Sequence, residues 1–256
     1  MTSIRRSGFA ILKVFKGSPF LYKLGKKVYP FVSSNYPRKN QMTIKGPFAV
    51  LRVNADYSEE GYYNIRELIK DFKVPFIVAL KMEDLEKEKK FITYSKNLER
   101  LNCSLALHGY HHSTILPLLN SKQKQYEIKK AVTTFKAIFK KTAKGFFSSR
   151  NAYDNESLRI LSSYGIKYYA EKNILYPEKH FNMWDIGLNK KLFDPISKSW
   201  KLVVDYIIKN KGIISVCWHI DSMGDEKMGY YREFLSYIKE KNVEILSESK
   251  LLRRLR

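Results

Sequence analysis

Three of the five histidines in this chain lie in one stretch, LALHGYHHS at 105–113. His108 and His112 are four residues apart, so a helical turn after a strand would bring both rings to one side. Asp56 ends another apolar run, FAVLRVNAD. Two imidazoles and one carboxylate are a common ligand set for a catalytic divalent metal ion. We therefore predict a metal site at Asp56, His108 and His112; the alternative is that these are ordinary surface or core residues.

A third apolar run, GIISVCWH, ends at His219. Because an imidazole titrates near neutral pH, His219 is a candidate general acid. The alternative is a core histidine with a local hydrogen bond. His180 lies in a polar loop, LYPEKHF, and is expected to be solvated.

Short apolar runs alternate with helical stretches after about residue 46, and this alternation predicts an α/β fold with parallel strands. It fits either an open wound sheet or a closed barrel. Strands are expected at 48–55, 74–80, 102–108, 145–149, 166–170, 181–188, 212–219 and 243–246, and helices near 60–71, 86–101, 121–140, 154–164, 198–210 and 227–241. In such folds reactive groups collect at the carboxyl ends of strands. Asp56, His108 and His219 are all at predicted strand ends.

The charge of the chain is unevenly distributed. Lys and Arg number 47 against 25 Asp and Glu, a formal net charge of +22. Residues 1–45 contain ten Lys or Arg and no Asp or Glu, interleaved with apolar residues. This pattern is typical of an interfacial helix on anionic lipid, and the alternative is a helix packed on the main domain. We expect a basic amphipathic extension at 1–45 and a single domain at 46–256.

Composition also bears on location and partners. Cys103 and Cys217 lie in apolar runs, which predicts buried thiols and requires no oxidising compartment. No run of about 18 uncharged apolar residues is present, and the first residues make a poor secretory signal. We expect a cytoplasmic protein, peripheral at the inner membrane face through residues 1–45. Nucleic acid is not expected as a partner, because no recognition motif accompanies the charge. A solvated lysine-rich surface with no partner is the alternative.

Several motifs resemble those of the polysaccharide deacetylase family, the carbohydrate esterase family 4-like group with the NodB-homology domain. The resemblance runs from about Phe48 to Leu252. It rests on NADYS at 54–58, HGYHH at 108–112, the stretch 145–169, VCWH at 216–219 and the closing stretch 234–252. The chain is similar to a divergent member of that family.

The resemblance implies a distorted (β/α)7-type barrel and a divalent ion, with zinc expected, held by Asp56, His108 and His112. It also implies hydrolysis of an N-acyl group from an amino sugar of a polysaccharide or lipid-linked glycan, with His219 as the acid. A bound ion of this kind polarises the amide carbonyl and activates water. A carbohydrate is therefore the expected substrate.

The chain departs from the family pattern at the position of the catalytic base, which falls on Ala55. A methyl group cannot accept a proton, so Glu59, Glu171 or Asp221 would have to take its place. The third motif reads FFSSRN at 146–151 and lacks the arginine and prolines of the family. Arg150 is a candidate to reach back into the pocket, and Trp184 and Asp185 are the nearest candidates for the fourth motif. The alternative function is a catalytically impaired barrel that binds glycan or a lipid-linked sugar.

Overall fold

The computed structural model describes residues 37–41, 44, 46–55, 58–192 and 199–256. Within these ranges the chain forms eight strands, β1 Phe48–Ala55, β2 Ile77–Leu80, β3 Ser104–Leu107, β4 Tyr168–Tyr169, β5 Glu178–His180, β6 Met183–Asp185, β7 Ile213–His219 and β8 Glu244–Ile245. They alternate with eight α-helices, α1 Glu59–Phe72, α2 Met82–Lys87, α3 Lys90–Arg100, α4 Ser121–Phe139, α5 Asn155–Ser163, α6 Trp200–Lys209, α7 Met228–Glu240 and α8 Glu248–Arg254. Most of the predicted extension 1–45, and Asp56, lie outside the described residues.

The main sheet has the strand order β3-β2-β1-β7, with β8 paired to the start of β1. All of these pairs are parallel. A smaller sheet has the order β4-β6-β5. The predicted α/β class with a parallel central sheet is confirmed, and the closed barrel stays a prediction.

Strand β1 is buried on both faces, as expected for a parallel strand covered on each side. Ala49, Leu51 and Val53 belong to the large core shared with the helices. Because side chains alternate along a strand, the other face carries Phe48 and Val50, which pack in a second core, and then two polar residues. Arg52 and Asn54 are 2% and 4% exposed. The polar part of β1 therefore lies at its carboxyl end.

Helix α1 is the first helix after β1. Its first turn is capped by Ser58, whose hydroxyl accepts a hydrogen bond from the Gly61 N–H at 3.0 Å. A Cβ on Gly61 would lie 1.9 Å from the carbonyl oxygen of Ile220. Glycine is therefore required for α1 to approach the turn that follows β7.

Two predicted elements differ in the structure. The helix expected at 86–101 is two helices, α2 and α3, separated at Glu88, which has extended backbone (φ −129°, ψ 95°). The stretch is rich in helix formers, but Leu85, Phe91 and Leu98 are all buried, and packing overrides propensity. The strand expected at 145–149 makes only isolated bridges, Leu107 with Phe146 and Gly145 with Tyr168. No helix in the described ranges is both long and apolar enough to cross a bilayer.

Candidate functional site

The carboxyl ends of four strands lie at one edge of the main sheet. Ala55 is in register with Leu80, and Leu80 with Leu107. On the other side of β1, Asn54 is in register with His219. The carboxyl ends of β1, β2 and β3 therefore lie at the level of His219, and His108 is the first residue after β3.

The structure places the rings of His108 and His112 side by side. Their centroids are 5.1 Å apart, with 52° between the ring planes. His108 is 3% exposed, whereas His112 is exposed. The connection is a tight turn rather than a helix, and it uses Gly109 at φ +87°, a conformation that glycine adopts without strain.

The backbone of Phe147 fixes the orientation of His108. The imidazole Nδ1 lies 2.7 Å from the Phe147 carbonyl oxygen. Since a carbonyl can only accept, Nδ1 carries the proton and donates it, and the lone pair of the neutral ring is on Nε2. This is the arrangement found behind metal-binding histidines, whose second nitrogen donates to a carbonyl or carboxylate.

Tyr153 holds the segment that carries this carbonyl. Its buried hydroxyl donates to the Phe146 carbonyl at 2.8 Å and accepts from the Ser148 N–H at 2.8 Å. Burial raises the pKa of Tyr153 well above its usual value, so the hydroxyl stays protonated. Tyr153 therefore keeps Phe147 in place from both of its neighbours.

His111 takes a different direction from the other two histidines of the loop. Its Nδ1 lies 2.7 Å from Glu127 Oε1, and its ring meets Tyr110 edge-on at 4.6 Å. A small pocket beside His108 is lined by residues of this loop, by Glu127 and by Ser148 and Ser149. His111 and Glu127 of α4 thus form one wall of this pocket together.

His219 lies against Asn54. The Asn54 Nδ2 is 3.2 Å from His219 Nε2. Because the amide nitrogen is a donor, Nε2 accepts, and the proton of a neutral ring is on Nδ1. Asn54 was not among the predicted site residues. Its position near the end of a strand that is buried along its whole length could have identified it as a site residue.

The structure reduces the candidates for the missing base. Ala55 is 6% exposed and apolar. Glu59 is bonded to Lys90 at 2.8 Å on the surface. Asp221 is exposed in the turn after His219, and Glu171 is partly buried beyond β4. The Arg150 side chain is exposed, which gives no support to its predicted reach into the pocket. Glu171 and Asp221 remain as candidates.

Asp185, a candidate for the fourth motif, is surrounded by backbone groups. It is fully buried, and its carboxylate accepts hydrogen bonds from three backbone N–H groups, those of Glu171, Lys172 and Gly187. Burial raises the pKa of Asp185 to about 6, although these three bonds act in the opposite direction. Asp185 therefore shapes the loops after β4 and β6. Trp184, its neighbour, is partly buried, with Lys179 Nζ 5.7 Å from its ring centroid.

Two buried cations near the edge were missed. Lys81 directly follows β2, is 9% exposed and bonds Asp84 at 2.8 Å; its position after the run VPFIVAL was the signal that could have identified it. The Arg52 guanidinium lies 4.2 Å from the Phe147 ring centroid and donates to Asn151 at 3.0 Å. Both place positive charge under the carboxyl edge.

Three further predictions concern residues away from this edge. Cys103 and Cys217 are buried thiols, as predicted, and burial raises the pKa of Cys103 to about 12. His180 is partly buried rather than solvated, with Nε2 3.0 Å from Lys172 Nζ. Burial and this neighbouring cation lower the pKa of His180.

The predicted metal set is only partly within the described residues. Asp56, its carboxylate, lies outside them. Among the described residues, no group of three His, Cys, Asp or Glu side chains is placed to bind a metal ion. His108 and His112 are brought together, and His219 lies on the same edge against Asn54.

The fold resembles several solved structures at low sequence identity. A protein assigned to the polysaccharide deacetylases, from Mycobacterium smegmatis, is 11% identical over 86% of this chain and 93% of its own, with a TM-score of 0.71. A family 4 carbohydrate esterase from Streptomyces lividans, in complex with acetate, is 10% identical over 79% of this chain and 93% of its own (TM-score 0.53). A carbohydrate esterase family 4 pseudoenzyme from Bacillus anthracis is 14% identical over 82% and 66% (TM-score 0.54).

At such low sequence identity, the structural similarity establishes the fold alone. It confirms the predicted divergent deacetylase-like fold. No curated protein sequence matches the chain. The model of glycosyl hydrolase family 57 matches residues 57–221, from the end of β1 to the turn after β7. Since this match covers more than half of the sequence, the chain belongs to glycosyl hydrolase family 57.

Proposed function

We propose that the chain is a metal-dependent hydrolase that removes an N-acyl group, such as acetyl, from an amino sugar of a polysaccharide or lipid-linked glycan. The observation that carries the proposal is the pair of rings at the end of β3, His108 and His112, at 5.1 Å. The likeness of the fold to carbohydrate deacetylases supports it.

The residues present fit a zinc-like ion. His108 donates from Nδ1 to the Phe147 carbonyl, which directs the Nε2 lone pair away from that backbone. His108, His112 and, in our proposal, Asp56 would hold the ion. When bound, such an ion polarises the amide carbonyl and lowers the pKa of a coordinated water.

The chain's own groups would supply the proton transfers. His219 is the proposed acid toward the leaving amine. Because both nitrogens of the protonated ring donate, the Asn54 side chain would then have to present its Oδ1 to Nε2. The base is not at Ala55, so we assign this role to Glu171 or Asp221, the two candidates that the structure leaves.

Glycoside hydrolysis is a second candidate, favoured by the family match. It needs two carboxyl groups on either side of the bond, one as acid and one as base or nucleophile. Several carboxylates are committed elsewhere: Asp185 to backbone N–H groups, Glu127 to His111 and Glu59 to Lys90. Glu171 and Asp221 would again be the groups to test.

A catalytically impaired glycan-binding protein is a third candidate. The buried methyl of Ala55 at the base position favours it, and one of the similar structures is named a pseudoenzyme. In this case the edge would bind sugar without turnover. Replacing Ala55 by Asp would then create hydrolysis that the natural chain lacks.

Metal content and product analysis test these candidates together. We expect purified protein with added Zn²⁺ to hold about one ion per chain, and the variants H108A, H112A and D56A to lose it. H111A is the matched control, because His111 bonds Glu127 instead. N-acetylated amino-sugar oligomers should release acetate without new reducing ends.

Other results would favour one of the other candidate functions or would remove the metal site. New reducing ends without acetate would replace deacetylation by glycoside hydrolysis. Binding of the oligomers with neither product, and acetate release only from A55D, would establish the impaired protein. Equal metal content in H108A and wild type would remove the proposed metal site.

We also propose a cytoplasmic location with residues 1–45 resting on the inner membrane face, and a closed barrel for residues 46–256. The ten cations without a carboxylate in 1–45 support the first proposal. Flotation with phosphatidylglycerol vesicles should require residues 1–45 and should weaken with added salt. Equal flotation of the chain shortened by these residues would contradict it.

A further inference from the structure

Helix α4 has an exposed face whose charge is not neutralised. Lys122, Lys129 and Lys136 recur every seven residues, about 10 Å apart along one side of the helix. Lys140, which ends the helix, continues the row. All four are exposed, and none forms an ion pair with another residue of the described ranges. We call these four residues the lysine face.

Some exposed cations on other helices are paired, whereas others, such as Lys96 of α3, Lys209 of α6 and Lys239 of α7, form no ion pair within the described residues. Lys70 bonds Glu67 on α1, Lys87 bonds Glu83 on α2, and Lys201 of α6 bonds Glu233 of α7. Three carboxylates near α4 are engaged with other groups: Glu127 with His111, Glu156 with the buried Lys124, and Glu86 with the hydroxyls of Thr134 and Tyr110. The lysine face therefore has a net positive field that an anionic ligand would relieve.

This face is continuous with the edge that carries the histidines. Glu127 of α4 bonds His111, and the Nζ of Lys130 lies 3.9 Å from the Tyr110 ring centroid. Between Lys122 and Lys129, on the same side of the helix, Tyr126 is 58% exposed. A flat exposed ring of this kind can stack on a sugar.

We propose that the lysine face binds the phosphate groups of a linear phosphate-bearing glycan, one sugar of which stacks on Tyr126. The proposal rests on the proposed function for the choice of a glycan. The other exposed residues of this side are Gln125, Thr133 and Ala137, none of them large and apolar, whereas a helix that enters a membrane surface presents Trp, Phe or Leu. A glycan lying along α4 would have its end at the His111 loop.

Binding can be measured without turnover. The full chain is titrated with phosphorylated dextran, with neutral dextran of the same length, with inorganic polyphosphate and with phosphatidylglycerol vesicles. We expect the double variant K129Q/K136Q to bind phosphorylated dextran roughly tenfold more weakly. The matched control is K209Q/K239Q, which removes two exposed lysines from α6 and α7. Y126A should weaken binding of phosphorylated dextran but not of polyphosphate.

The outcomes separate this surface from the hydrolase proposal. Equal weakening in both double variants would overturn it, because the attraction would then come from the total charge. A loss of vesicle binding in K129Q/K136Q, with dextran binding unchanged, would overturn it in favour of a membrane. Selective binding of phosphorylated dextran by a chain that releases neither acetate nor reducing ends would retain the lysine face and remove the hydrolase.

Discussion

The carbonyl oxygen of Phe147 lies 2.7 Å from Nδ1 of His108 and thereby sets which ring nitrogen carries the proton. The residues on either side of Phe147 are both hydrogen-bonded to the Tyr153 hydroxyl, which donates to the Phe146 carbonyl and accepts from the Ser148 N–H. The state of a histidine at the end of β3 therefore depends on Tyr153 through the backbone that this tyrosine holds.

Replacing Tyr153 by Phe should lower the free energy of unfolding by about 1–3 kcal/mol, because the Ser148 N–H and the Phe146 carbonyl lose their buried partner. Affinity for Zn²⁺ should fall roughly tenfold. Urea unfolding and metal titration measure the two effects.

Tyr169 provides the control for this variant. Its ring packs on Tyr153 at 4.9 Å, and its buried hydroxyl has no hydrogen-bond partner among the described residues. Tyr169→Phe should therefore leave stability within about 0.5 kcal/mol or raise it. A larger loss in Tyr169→Phe than in Tyr153→Phe would contradict the role given to Tyr153.

Asn54→Leu removes the donor that faces His219 Nε2. We expect the ¹⁵N resonance of Nε2 to shift and the turnover number to fall roughly tenfold, with stability changed by less than about 1 kcal/mol. The small stability change follows because Asn54 Oδ1 is buried with no partner in the described part of the chain. An unchanged Nε2 resonance would show that the contact does not determine the tautomer.

Asp185 should make stability depend on pH. Burial raises its pKa in the folded chain from 3.8 to about 6. The protonated form is favoured on folding, so this contribution is complete below pH 3.8 and is lost as the pH rises through 6. It amounts to about 3 kcal/mol. Urea unfolding from pH 4 to 7.5 should show this decline in wild type and not in Asp185→Asn; parallel curves would contradict it.

Lys124→Met should lower the free energy of unfolding by about 3 kcal/mol. The side chain is fully buried and bonds Asp154 at 2.6 Å and Glu156 at 2.7 Å. Burial opposes its charge, but these two bonds outweigh it and raise the pKa of Lys124. Lys122→Met, on the exposed side of the same helix, should change stability by less than about 0.5 kcal/mol. Similar values for both would refute the buried ion pairs.

Gly61→Ala should destabilise the chain by about 1–3 kcal/mol, because its Cβ meets the Ile220 carbonyl. Gly229→Ala, in α7, meets nothing within 4 Å and should stabilise by about 0.5–1 kcal/mol. Thermal unfolding of the two variants measures the contrast. Stabilisation by both would show that α1 and the turn after β7 are not in close contact.

The sequence was most informative where one local signal decided the structure. The predicted 48–55 strand agrees with β1, and 121–140 agrees with α4 to one residue, because β1 is an apolar run interrupted only by Arg52 and Asn54 and α4 begins with a capping box at Asn120. It failed at 86–101, where helix formers continue through Glu88 but the buried residues on either side need a change of direction.

For the site, the expectation that reactive groups lie at the carboxyl ends of strands correctly placed His108 and His219 at one edge of the sheet. It could not show that Asn54 meets His219, since that contact depends on the register of β1 and β7, 165 residues apart in sequence. It also could not separate His111 from its neighbours, because its partner Glu127 is on another helix.

The first N–H groups of α2, those of Met82 and Glu83, donate to the carbonyls of Gly109 and Tyr110 at 3.2 Å. The connection from β2 to α2 thus acts as a spacer for the His108–His112 turn. An insertion after Leu80 would displace the imidazoles even though it changes none of them. Length changes elsewhere on this edge should therefore be tolerated more readily than a length change here.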